Sequence, residues 1–163
     1  MRVKGIVDED FVNYKKPSMF IATCICDFKC CREQGLDVSV CQNSKIASQP
    51  TIEVPVERIY KRYIKNDITS AIVIGGLEPF KQTADLYELI NCFRKNGCYD
   101  DIVIYTGYNE DELEKAVNIS LYNYGRKNIL IKYGRYIPGQ SPHYDENLGV
   151  NLASDNQRSR WLC

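Results

Sequence analysis

At 163 residues the chain is long enough to bury a substantial core without disulfide or metal staples, and a single domain over 1–163 is expected. Lysine plus arginine and aspartate plus glutamate stand at 21 each, so no global charge draws the protein to nucleic acid or an anionic membrane, and neither partner is expected. The opening "MRVKGIVDEDF" lacks the apolar core of a signal peptide and no stretch reaches a membrane span, so the expected compartment is cytoplasmic, where thiols stay reduced.

In chain order, "RVKGIV" near the start reads as a short strand and "SMFIAT" (18–23) as a longer one. A cysteine-rich loop follows over 24–45. Pro55 suits the first turn of a helix whose apolar stripe is Val56, Ile59, Tyr60 and Tyr63. "SAIVIG" (70–75) is the next strand, and Leu86, Leu89, Ile90 and Phe93 make the stripe of a second helix that Gly97 stops. "DIVIYT" (101–106) precedes a third helix over 110–124, with Leu113, Ala116, Val117 and Leu121 inward and Gly125 as its stop. "NILIKY" (128–133) and, more weakly, "GVNLAS" (149–154) complete the strands.

Runs this apolar read as strands buried on both faces, and their alternation with helices predicts an α/β fold with a mostly parallel sheet. In such sheets the working site lies beyond the carboxyl ends of the strands. The cysteine loop, "GGLEPF", "TGYNE", "GRYIPG" and "SDNQR" follow the successive strands, which places them together on one rim.

Five of the eight cysteines, Cys24, Cys26, Cys30, Cys31 and Cys41, fall in the first of these loops. Disulfides, zinc and an iron–sulfur cluster are the three chemistries on offer. The expected reducing compartment and the adjacency of Cys30 and Cys31 argue against disulfides. Structural zinc usually takes two close Cys or Cys/His pairs; Cys26 and Cys30 make one, no second follows, and His143 is the only histidine. A cluster needs thiolates on a loop, each reaching a different iron, and Cys26, Cys30 and Cys41 supply three. Three thiols for four irons leave one iron open, as a catalytic metal site requires.

The chain resembles small radical S-adenosylmethionine (SAM) proteins, and specifically the anaerobic ribonucleoside-triphosphate reductase activating proteins. The superfamily loop is C-x3-C-x2-C. Cys26-Asp27-Phe28-Lys29-Cys30 matches its first half, ten residues from Cys31 to Val40 are inserted, and "CQN" from Cys41 is similar to the family's "CYN". "GGLEP", Gly75 to Pro79, resembles the GGEP segment that meets the amino group of SAM, with Leu77 inserted before Glu78. "LASDNQR" (152–158) resembles the family's "GSSNQR", and "KYGRYI" (132–137) its "DGPF" segment.

The resemblance implies a small partial (β/α) barrel that holds a 4Fe-4S cluster on Cys26, Cys30 and Cys41. It implies SAM held by Gly75, Gly76, Glu78, Thr106, Ser154, Asn156 and Gln157. A flavodoxin- or ferredoxin-like donor would supply the electron that cleaves SAM to methionine and a 5′-deoxyadenosyl radical. The enzyme would be an oxidoreductase that places a glycyl radical on an anaerobic ribonucleotide reductase. The same chemistry on another glycyl radical enzyme or a peptide, and a non-catalytic iron–sulfur or zinc protein, are the alternatives. Cys24 and Cys31 compete as ligands, Cys92 reads as a core residue, and Cys98 and Cys163 have no evident role.

Overall fold

The computed structural model describes residues 1–120 and 127–162, without the side chains of 117–120. The chain enters as β1 (Arg2–Asp10) and turns back into β2 (Ser18–Thr23). The cysteine loop then carries two four-residue helices, α1 (Lys29–Arg32) and α2 (Ser44–Ala47), and ends in a two-residue strand, β3 (Ile52–Glu53). Next come α3 (Val56–Tyr63), β4 (Ala71–Gly76), α4 (Thr83–Lys95), β5 (Asp101–Tyr105), α5 (Glu110–Ser120) and β6 (Ile129–Tyr133). Three short strands finish the chain: β7 (His143–Asp145), β8 (Val150–Leu152) and β9 (Arg158–Trp161).

Seven strands form one sheet in the order β3-β1-β2-β4-β5-β6-β9. The central four, β2, β4, β5 and β6, are parallel, and β1 and β9 flank them antiparallel. The fold is thus α/β with a parallel centre, open at both edges and compatible with a partial barrel. Among the described residues no helix is long and apolar enough to cross a membrane.

Strand alternation sends one set of side chains to each face. Met19, Ile21, Ile72, Ile74, Ile102, Ile104, Ile129 and Ile131 pack against α3 and α4, whose Ile59, Tyr63, Leu86, Leu89, Ile90 and Phe93 supply the helical side of this core. Phe93 is fully buried there, edge-on to Tyr60 and Tyr63 with ring centroids 5.3 Å away, and truncating it to alanine would cost about 3–5 kcal/mol. Leu113 is buried and Ala116 packs against the same core. The side chain of Val117, and Leu121, Gly125 and Cys163, lie outside the described residues. Gly97 ends α4 at φ +77, a conformation that favours glycine.

The opposite face carries Ala71, Val73, Val103 and Leu130, and no helix among the described residues covers it. Tyr14, from the turn between β1 and β2, and Leu148 and Leu152, from the β7–β8 hairpin, do so instead. Lys15 N–H donates to Leu148 O at 2.7 Å, tying the two covering segments together.

The fifth expected strand, "GVNLAS", is not in the main sheet. Its middle, β8, pairs only with β7, and the partner of β6 is β9, running antiparallel. The physical reason is the connection after β6. A parallel return needs a crossover of a dozen or more residues, usually helical. Pro138, Gly139 and Pro142 break any helix there, so the chain comes back as a hairpin and an antiparallel edge. Because β9 runs downward from the rim, "SDNQR" still sits at the rim, before that strand instead of after one.

Candidate functional site

The loop after β2 is fastened to the loop after β4. Thr23 Oγ1 donates to Gly75 O at 2.8 Å, Cys24 N–H to Gln82 Oε1 at 2.8 Å, and Glu78 N–H to Ile25 O at 2.9 Å. Cys26 comes next, its sulfur accepting from Phe28 N–H at 3.2 Å. Phe28 adopts a left-handed conformation (φ 52, ψ 34) that turns the chain into α1, which presents Cys30. A 3-10 turn over Val38–Val40 then delivers Cys41.

Cys26, Cys30 and Cys41 line one cavity of about 280 Å3, together with Gly76, Glu78, Thr106 and Gln157 from the other rim loops. Cys24, Cys31, Gly75, Ser154 and Asn156 do not line it. Cys31 is buried, its thiol beside those of Cys30 and Cys41. Gly75 serves packing: a Cβ there would meet Tyr105 Cβ at 3.1 Å and the Phe20 ring at 3.4 Å. Ser154 accepts from Ile137 N–H and donates to Arg135 O, and Asn156 Nδ2 also donates to Arg135 O. Gln157 reaches the cavity, but its Oε1 accepts from the N–H groups of Ala153 and Ser154. This C-terminal segment is therefore chiefly a brace for the loop after β6.

The thiols differ in acidity. The Cys41 thiol beside it, with that of Cys31 and the Arg135 guanidinium, holds Cys30 down to about 6. Its hydrogen bond to Cys30 and burial push Cys41 well above the usual thiol range, and burial raises Cys26 to about 11. One thiolate is thus stabilised by a neighbouring thiol, a useful start for metal uptake, which requires deprotonated sulfur. Among the described residues no three His, Cys, Asp or Glu side chains converge as ligands of a single ion would.

Glu78 is 5% exposed, and its carboxylate accepts from Thr106 Oγ1 at 2.7 Å, Gly107 N–H at 2.9 Å and Phe80 N–H at 3.1 Å. Burial raises it to about 7 against the pull of those three donors. Facing the same cavity is Lys132, 7% exposed, whose ammonium makes one hydrogen bond among the described residues, to Gly134 O at 3.2 Å. Burial lowers it to about 8, with the charges of Glu78 and Cys30 opposing. Sequence reading missed this lysine inside "ILIKY". The signal was parity: Lys132 shares a face with Leu130, so it points inward from a strand buried on both sides. Arg135, also missed, borders the cavity and is paired with Glu33 and Glu112.

A model described as a 4Fe-4S single cluster domain matches residues 15–158. The chain belongs to that family. No curated protein and no solved structure matches it. For a 4Fe-4S single cluster domain the donor set fits: three thiols from one loop border a common cavity, one of them already acidic, and a cube would meet them at separate irons.

Proposed function

We propose that the protein is a radical SAM activating enzyme that generates a glycyl radical on an anaerobic ribonucleotide reductase. The observation that carries the SAM reading is the pair of opposite buried charges, Glu78 and Lys132, in the cavity that three cysteines border. Glu78 is met by three donors, but the Lys132 ammonium has a single carbonyl among the described residues, and a buried charge so poorly met is costly. A zwitterionic α-amino acid group answers both, and SAM carries one.

Cys26, Cys30 and Cys41 would hold the 4Fe-4S cluster, which, with a flavodoxin- or ferredoxin-like donor, would supply the one-electron chemistry for reductive cleavage of SAM. The chain's own residues bind and orient. Lys132 has donors free for a carboxylate, while Glu78, held rigid by Thr106, Gly107 and Phe80, offers its remaining acceptor capacity to an ammonium. Gly76 borders the cavity at φ +81, a conformation that favours glycine, and a Cβ there would press on Ala22 at 3.1 Å. Phe20, Tyr105 and Leu152 give the cavity an apolar wall.

The cavity's size favours a macromolecular second reactant. At about 280 Å3 it lies just below the range of sites that enclose one small molecule. A second reactant must be presented from outside, which a docked protein does.

The deciding experiment is anaerobic reconstitution and reduction, followed by assay for 5′-deoxyadenosine. A chain with a full cluster that forms none is a non-catalytic iron–sulfur protein. Cleavage without a glycyl radical signal on a co-encoded reductase moves the activity to another glycyl radical enzyme or a peptide.

A further inference from the structure

The cluster turn is held from outside by a network that the SAM reading does not use. Arg135 is 5% exposed, and three of its nitrogens carry hydrogen bonds. Nε and Nη2 form a fork on the Glu33 carboxylate, with Nη2 at 3.0 Å from Oε1. Nη2 also meets Glu112, 2.8 Å from Oε2, and Nη1 donates to Gly107 O at 2.6 Å. Lys29 bridges the two carboxylates from the solvent side, contacting Glu112 and lying 3.5 Å from Glu33. Arg135, Glu33, Lys29 and Glu112 thus close a neutral ring of two positive and two negative groups.

Glu33 is the residue that ends α1, three positions after Cys30. Its fellow Gln34 reinforces the tie, donating from Nε2 to both Cys30 O at 2.6 Å and Tyr136 O at 2.9 Å. The main chain of Arg135 is itself braced by Ser154 and Asn156. A four-residue helix has no stability of its own. Its orientation is set by what grips it, and the largest grip is the Arg135 fork.

We propose that Arg135 is a positioning residue: by forking onto Glu33 it fixes the helical turn that carries Cys30, and so sets how firmly a cluster is held. The proposal rests on Cys30 being a ligand and not on SAM chemistry, so a protein that cleaves no SAM can still bear it out. Partners of this kind, one step removed from the ligands, commonly change metal retention by about 10–100-fold.

The test is the rate at which a ferrous chelator strips iron from the reconstituted, full-length protein, with Tm measured alongside. Arg135→Gln and Glu33→Gln should each lose iron about tenfold faster than the parent. Glu33 is largely exposed, so its variant reads the fork even where Arg135→Gln fails to fold. Arg135→Lys keeps the charge and loses the fork, and it should lose iron nearly as fast as Arg135→Gln. Arg94→Gln is the structural control. Arg94 donates to Cys98 O and Asp100 O at the far end of the sheet, so its loss should lower Tm and leave iron retention unchanged. Parental rates in both fork variants, full rescue by lysine, equal loss from Arg94→Gln, or an intact cluster in Cys30→Ala would each overturn the proposal.

Discussion

Replacing Lys132 by methionine, similar in length and volume but uncharged, should stabilise the ligand-free protein while weakening its site. Burial takes the amine from its ordinary 10.5 to about 8, a penalty on the charged form of about 3 kcal/mol. Below about 8 the lysine is protonated in both folded and unfolded chains, and the folded state bears the whole penalty. Between about 8 and 10.5 the unfolded chain keeps a proton that the folded one has released, so stability rises with pH and the penalty fades. Urea unfolding of the cluster-free protein under anaerobic conditions should therefore show Lys132→Met more stable by up to about 3 kcal/mol at neutral pH, the gain vanishing as pH approaches 10.5. SAM affinity, measured by calorimetry on the reconstituted protein, should fall at least about tenfold, the worth of one charge-assisted hydrogen bond. A variant that is less stable at neutral pH, or whose gain ignores pH, would refute the view of Lys132 as a charge held in wait for a ligand.

The remaining predictions concern the thiols and the brace behind them. After anaerobic reconstitution, Cys26→Ala, Cys30→Ala and Cys41→Ala should each fail to retain cluster iron, while Cys24→Ala and Cys31→Ala, whose thiols do not line the cavity, should retain it. Iron and sulfide analysis decides this; retention by Cys41→Ala with loss from Cys24→Ala or Cys31→Ala would reverse the ligand assignment, and zinc in place of iron would replace the cluster. Gly134→Ala should lower stability by at least about 1–3 kcal/mol, read by thermal unfolding, because φ is +97 and a Cβ would lie 2.9 Å from Asn156 O. An unchanged Tm would mean that the C-terminal brace does not press on this turn.

What the sequence made legible were features written in consecutive residues. Val73, Val103 and Leu130 on one face and Ile72, Ile102 and Ile131 on the other show as unbroken apolar runs, so a strand buried on both sides is recognisable alone. The stripes of α3 and α4 are equally local. The thiols that meet at the cavity were also readable, because they share one loop. What stayed hidden depends on residues far apart. The fork of Arg135 on Glu33 joins positions a hundred residues distant that neither composition nor spacing connects. Lys132 was concealed by its apolar neighbours. The strand β9, "RSRW", has the polar character of an exposed edge and so resembles a loop. Ser154 and Asn156 carry the right chemistry for a ligand, but their side chains brace Arg135. Polarity alone does not say whether a group serves a ligand or the backbone beside it.

The excursion between Cys30 and Cys41 bears on how such a site changes over generations. From Gly35 to Val40 no residue is buried, so packing does not fix the length of this stretch. The thiols are anchored separately, Cys30 by its helical turn and Cys41 by the turn that precedes it. A segment with anchored ends and an unburied middle can gain or shed residues at little cost to folding. The interval between these two thiols is then set by the excursion and not by the cavity they border, so a signature written as a fixed spacing reads the loop more than the site.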